Sequence, residues 1–274
     1  DVDVYCVGAT EILTQGHRKL NQDSLVITGS KSGDTPETVN VVKYCVEKGI
    51  TTVTITGSDD NPLAKESTYN VVSDATGVEN TYLQFYYFVF RLLHNRGEFA
   101  NYDRFVEQMN LVPKIMIAAK EKFEPKAAEI AKKYYKEPYQ IWVGSGVVWG
   151  DVYMFTMCIL EEMQWKRTKA VTSSEFFHGT LELVDEDTLV VLVKGIDESR
   201  ALDERVEKFL TQYSEKHVVI DLADFDMTGI DEEFKVILTP MLLETITTGR
   251  LAIHIESRTG HDLAFRRYYR QFEY

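Results

Sequence analysis

Ser24-Leu-Val-Ile-Thr28 runs into Gly29-Ser-Lys-Ser-Gly-Asp-Thr-Pro-Glu-Thr38, and apolar residues follow at helical spacing at Val39, Val42 and Val46. A β-branched strand, a polar loop rich in glycine and hydroxyls, and an amphipathic helix, in that order, make one βα unit of a parallel sheet. Thr35 is the predicted helix cap and Pro36 the first helical residue, where its missing N–H leaves no bond unmade. The free N–H groups of the first turn then face the loop, a place that suits an anion. Ser30, Ser32 and Thr35 add hydroxyl donors and Lys31 adds charge, so a phosphate monoester is the expected ligand, although the same residue types also fill ordinary turns. The GxxxxGK[ST] spacing is absent, so nucleotide hydrolysis is not implied.

Outward from this unit, further strands are predicted at 2–7, 51–56 and 69–72. Residues 79–99, 102–123 and 125–136 carry apolar positions at helical spacing. After Pro138 the alternation resumes, with strands at 140–143, 169–172, 188–193 and 217–221 and helices at 149–163, 199–213 and 231–247. The pattern predicts an α/β chain of two similar units, each a parallel sheet flanked by helices in three αβα layers. No flexible linker separates the halves, so they are expected to pack as one compact body.

The chain has 274 residues, 43 acidic and 30 basic, a formal charge of −13 that argues against a nucleic-acid or anionic-membrane binder. Phosphate, if bound, must be bound locally. Cys6, Cys45 and Cys158 are scattered and odd in number, so neither a disulfide framework nor a zinc ribbon is supported, and a reducing cytoplasm fits best. No run approaches the roughly 20 apolar residues of a membrane span, and Asp1-Val-Asp3 lacks the basic start of a signal peptide. A soluble, cytoplasmic protein is expected.

The second half holds three further signals. The strand at 140–143 enters Gly144-Ser-Gly146, which with Gly150 reads GxGxxxG, one residue longer than a dinucleotide fingerprint. It fits a tight turn approaching a small ligand or a plain strand-to-helix turn. The next helix ends in Leu160-Glu-Glu-Met-Gln-Trp165. A carboxylate there, among unpaired carbonyls and beside Met163 and Trp165, is disfavoured in its ionised form and so suited to act as a base near neutral pH; the blander reading is a solvated acidic helix end. Ser173-Ser-Glu-Phe-Phe-His-Gly-Thr180 predicts one capped helical turn that stops at Gly179 and presents His178, with Glu175 on the same face. A di-iron site needs two such Glu-x-x-His motifs and one occurs, so no metal site is expected.

Taken together, the loop Ser30-Lys-Ser-Gly-Asp-Thr-Pro-Glu-Thr38, Glu162 sixteen residues before His178, and Ser174-Glu-Phe-Phe-His-Gly-Thr-Leu-Glu182 resemble the sugar isomerase (SIS) superfamily over nearly the whole chain. Gly195-Ile-Asp-Glu-Ser-Arg200 and the tail Arg266-Arg-Tyr-Tyr269 to Glu273-Tyr274 look most like its fructosamine 6-phosphate deglycases, the fructoselysine-6-phosphate deglycase group. The resemblance implies two SIS subdomains, here 1–120 and 121–274 with a C-terminal tail. The helix and strand that usually precede the region matching Val2 are not visible. It also implies a small-molecule sugar phosphate as substrate, and a homodimer or higher homo-oligomer in which the histidine comes from the neighbouring subunit. No nucleic acid, membrane, metal or organic cofactor is implied.

By that resemblance Ser30, Ser32 and Thr35, with Lys31, hold the phosphate, Glu162 is the base that moves a proton between sugar carbons, and His178 assists ring opening and proton delivery. Gly144, Ser145, Glu175, Arg267 and Tyr269 are further candidates for contacting substrate, Arg267 because arginine pairs with carboxylates in a bidentate way. His178-Gly-Thr180 departs from the usual His-Gly-Pro, and Arg270-Gln271 stands where glycines occur, so the amine pocket is expected to differ. The expected reaction cleaves a fructosamine or glucosamine-type 6-phosphate to glucose 6-phosphate and a free amino acid. Alternatives are an aldose-ketose or amino-sugar phosphate isomerase, a non-catalytic sugar-phosphate sensor and, resting on the Gly144 spacing alone, a nicotinamide-dependent oxidoreductase.

Overall fold

The computed structural model describes residues 2–74 and 77–272; Glu273-Tyr274, part of the tail motif, lie outside them. Two compact units are present, Asp1–Gly77 and Val78–Tyr274. The first runs α1 (Ala9–Gln15), β1 (Leu25–Ser30), α2 (Pro36–Glu47), β2 (Thr51–Thr56), α3 (Pro62–Glu66) and β3 (Tyr69–Val72). Its strands form a parallel sheet in the order β1-β2-β3, with Leu25 opposite Thr51 and Val53 opposite Tyr69. The apolar face of α2, through Val39, Val42 and Cys45, packs with Ile50 and Leu63 in a small core. On β2 the buried Thr54 and Thr56 hydroxyls lie 2.8 and 3.0 Å from Asn70 Oδ1, so the polar atoms of this central strand are matched from β3. Residues 2–7, expected as a strand, are irregular, without a sheet partner and largely exposed; β-propensity without a neighbouring strand does not make a strand.

The second unit opens with α4 (Val78–Asn95), α5 (Tyr102–Met109) and α6 (Val112–Tyr134). The boundary expected at 120 falls inside α6, one unbroken helix of 23 residues, so these units differ in extent from the expected 1–120 and 121–274. Then come β4 (Tyr139–Val143), α7 (Trp149–Met154), β5 (Arg167–Val171), α8 (Ser173–Phe176), β6 (Leu189–Lys194), α9 (Arg200–Tyr213), β7 (His217–Asp221), α10 (Glu232–Ile246) and α11 (Ala252–Thr259). The sheet is fully parallel, ordered β5-β4-β6-β7. Trp142, Leu189, Val191 and Val193 face a core shared with α5, α6 and α10, whereas Ile141, Val143, Val190 and Leu192 face α8 and α9. That strict alternation on strands buried on both sides makes the three αβα layers.

Helix 232–259, continuous through a π-helical segment at Thr247–Leu251, is long and apolar enough to cross a membrane, unlike the sequence expectation, yet 67% of its apolar window is buried inside this unit. It is the core helix of the second layer. Its Glu244 is 4% exposed, and burial pushes that carboxyl up to about 7. Asp151 on α7 is 1% exposed; Tyr82 donates to its Oδ2 at 2.9 Å, and Oδ1 has no partner among the described residues. Burial, with Glu244 nearby, pushes Asp151 also up to about 7. A carboxyl raised in the fold is stabilising below its unfolded value near 4, and that contribution is lost as pH rises through about 7. Asp151→Asn, which still accepts from Tyr82, is therefore expected to gain stability relative to the parent as pH climbs from 4 to 8. Thermal unfolding midpoints of both proteins at pH 5, 6, 7 and 8 measure this, and a pH-independent difference would contradict it.

Candidate active site

In the first unit the β1–α2 loop is folded on itself. Ser30 Oγ accepts from Gly33 N–H at 3.1 Å and lies 3.0 Å from Thr35 Oγ1; Ser32 donates to Asp34. Thr35 occupies the cap position before Pro36, but its hydroxyl is turned to Ser30 and makes no cap bond to α2, contrary to the expected side-chain cap. Gly33 sits at φ +68°, and a Cβ there would lie 2.0 Å from Asn61 Oδ1. Glycine is required by both conformation and space. The neighbouring β2–α3 loop braces this one: Gly57 N–H donates to Lys31 O at 3.0 Å and Leu63 N–H to Gly33 O at 2.9 Å. The Lys31 and Ser32 side chains are left exposed.

In the second unit the loops leaving the C-terminal ends of β4, β5 and β6 are tied by buried polar groups. Ser145 Oγ, 4% exposed, accepts from Ser173 N–H at 2.8 Å; Ser173 Oγ donates to Asp203 Oδ1 at 2.5 Å, and Gly195 N–H to Asp203 Oδ2 at 3.3 Å. Burial holds the Asp203 carboxyl above its ordinary range. Gly144 packs where a Cβ would meet Val152 at 2.8 Å. Asp197 Oδ2 takes the Val147 N–H at 2.9 Å and Asp197 Oδ1 the Ser199 N–H at 2.7 Å. Against its burial, these bonds keep Asp197 below the usual carboxylate range. A donor that a dinucleotide's pyrophosphate would use is thus already taken by an anionic side chain, and the glycine spacing belongs to a strand-to-helix turn. Arg200 completes the Gly195–Arg200 motif, donating to Gly195 O at 2.9 Å and to both Asp221 oxygens at 2.8 and 2.7 Å.

These bonds hold α8, a single turn whose cap is Thr172, one residue earlier than expected. Glu175 is exposed and closes that turn, its N–H on Thr172 Oγ1 at 3.3 Å. His178 follows, exposed, its N–H on Glu175 O at 2.9 Å, with Gly179 at φ +139° ending the turn.

Glu162 sits elsewhere on this unit. After α7 the helix widens into a π-helical segment, Phe155–Glu161, and Glu162 N–H bonds back to Met157 O at 3.1 Å. Such widened turns recur at functional sites. Trp165 ends the helix at φ +52°, a left-handed conformation that costs a bulky residue about 1–2 kcal/mol. Its indole is held by His261 edge-on at 4.3 Å between centroids and by the Arg267 guanidinium 4.2 Å from the ring centre. Glu162 Oε1 accepts from Arg266 Nε at 2.8 Å, so the carboxylate expected to be disfavoured as an anion has a guanidinium beside it. Glu162, Arg266, Arg267 and Tyr269 line one cleft of about 580 Å³ together with Glu161, Trp165, Lys166, Arg167, Thr168 and Tyr268. His178, Glu175, Gly144 and Ser145 are not among its lining. The sequence sets Trp165 beside this carboxylate and Arg266 in the tail motif, but shows neither the Arg266–Glu162 pair, which spans 104 residues, nor the left-handed backbone of Trp165.

A family model for the SIS domain matches residues 4–86. Fructosamine deglycase FrlB of Bacillus subtilis (strain 168) is 32% identical over 99% of this chain and 83% of its own length. The chain belongs to the SIS superfamily, in its fructosamine deglycase group. Fructoselysine 6-phosphate deglycase of Escherichia coli (strain K12) is 23% identical over 98% of this chain and 78% of its own. A crystal structure of a candidate phosphosugar isomerase from Bacillus subtilis superposes with a TM-score of 0.93 at 31% identity, covering 97% of this chain and 82% of that one. This SIS protein is accordingly an enzyme of the deglycase and isomerase kind. In it, Ser145→Ala leaves the Ser173 N–H without its acceptor, a loss of about 1–3 kcal/mol for a buried group. A lower unfolding midpoint and faster amide exchange over 173–178 are expected, and unchanged exchange there would show that Ser145 does not hold the histidine turn.

Proposed function

We propose that this SIS enzyme cleaves a fructosamine 6-phosphate, such as fructoselysine 6-phosphate, into glucose 6-phosphate and a free amino acid. The observation that carries the reading is Glu162: one oxygen is fixed by Arg266, while Oε2 has no hydrogen-bond partner among the described residues, in a cleft large enough for a ligand. A carboxylate positioned through one oxygen and free at the other is suited to take a proton from carbon.

An Amadori compound joins an amine to C1 of a 2-keto sugar. Glu162 removes a C1 proton, the electrons shift toward O2, and return of the proton at C2 leaves an imine at C1. Water adds to that imine, the C–N bond breaks, and the amine leaves with the aldose. The imidazole of His178, which can both donate and accept a proton, opens the sugar ring and relays protons between oxygens. The phosphate is assigned to the loop of Ser30, Lys31, Ser32 and Thr35. Gly144, Ser145 and Glu175 shape the His178 turn in this reading. An isomerase would use the same Glu162 and His178 without releasing amine.

The absence of His178 from the lining of the Glu162 cleft supports a homodimer in which each copy lends its histidine to the other.

Incubation with fructoselysine 6-phosphate is expected to release lysine and glucose 6-phosphate together; sugar interconversion without lysine would favour the isomerase. Glu162→Gln should lose turnover by about 10²-fold or more while remaining folded, and a fully active variant would refute the base. Mixing Glu162→Gln with His178→Ala protein should restore about a quarter of parental activity, since half of randomly mixed dimers carry one intact shared site. No recovery after verified subunit exchange would place both groups in one chain's site.

A further inference from the structure

The cleft around Glu162 is cationic in an acidic chain. Lys166, Arg167, Arg266 and Arg267 line it against Glu161 and Glu162. Arg266 is committed to Glu162, and the Lys166 ammonium donates to Tyr135 O. Arg167 and Arg267 have no carboxylate partner among the described residues. Arg267 lies over the Trp165 indole at 4.2 Å, a cation–π contact that holds the guanidinium at the cleft. The indole that fixes it is itself in a strained left-handed conformation, locked by His261 and by the Gln164 amide, which donates to His261 O at 2.7 Å. A guanidinium with no carboxylate partner among the described residues, held on an indole beside the base, suits a planar anion with two oxygens.

We propose that Arg267, stacked on Trp165 and assisted by Arg167, binds the carboxylate of the substrate's amino-acid half and so determines that this enzyme prefers amino-acid conjugates to conjugates of plain amines. This rests on the assignment of Glu162 as the base, because it identifies the cleft as the place where C1 and its amine lie. The other anion of the substrate, the phosphate, is the competing occupant, and the test separates the two.

The comparison is between fructoselysine 6-phosphate and its decarboxylated counterpart, the same sugar phosphate joined to 1,5-diaminopentane. The parent enzyme is expected to favour the first by about 10- to 100-fold in kcat/KM, expressed mainly in KM, as befits one charge-assisted bond. Arg267→Met, whose unbranched chain can still pack on Trp165, should lose most of its rate on the carboxylate-bearing conjugate and much less on the other, so the ratio falls toward one. Equal handling of both conjugates by the parent, or an equal loss on both in the variant, would overturn the proposal; the equal loss would point to the phosphate or to the scaffold. Calorimetric Kd values of both conjugates on Glu162→Gln protein give the same ratio without turnover. Absence of lysine release by the parent therefore counts against the deglycase reading alone, while the Kd ratio, above about 10 or near one, still decides the carboxylate subsite.

Discussion

Burial of β4 and β6 on both faces is the constraint from which the second unit follows. Trp142 and Val191 point into one layer, and Ile141, Val143, Val190 and Leu192 into the other, so neither strand has a face to give to solvent. A parallel sheet so enclosed has its reactive loops at its C-terminal edge, because its long crossovers are helices. Those loops carry backbone groups that must be satisfied inside protein, and Ser145, Ser173 and Asp203 satisfy them with a short chain of hydrogen bonds. The turn bearing His178 thus inherits its position from the sheet through three side chains.

Glu162 is placed by different means. It comes from the far end of the helix that follows β4, where the widened π turn and the left-handed Trp165 redirect the chain into β5. The C-terminal segment then closes over this end, with Arg266 on the carboxylate and Arg267 on the indole. One proposed catalytic group is therefore held by a buried polar hub and the other by an exposed stack and an ion pair. That pair is part-buried, its side chains 17% and 31% exposed, and it fixes one oxygen of the carboxylate.

Much of this was legible because it is local. The strands at 51–56 and 69–72 match the structure residue for residue, since β-branched runs bounded by polar turns have few other places to go. The glycine of the β1–α2 loop and the short turn at 173–178 were likewise written in residue type. What could not be read depends on partners distant in sequence. Thr35 was expected to cap α2, but Ser30, five residues back and across the loop, takes its hydroxyl. Residues 2–7 have strand composition and no strand to pair with. The pairing of Glu162 with Arg266 joins residues 104 positions apart.

The π segment at Phe155–Glu161 also bears on how such a site could be altered. A π turn accommodates one residue more than an α turn, so every side chain after it is offset by about 100° around the helix axis from where an uninterrupted α-helix would present it. The angular phase of Glu162 is therefore set by the length of the segment rather than by the identity of its apolar residues. Swapping one aliphatic side chain for another there leaves the carboxylate aimed as it is, whereas deleting a single residue would turn it away from the cleft without changing the chemistry of any remaining group.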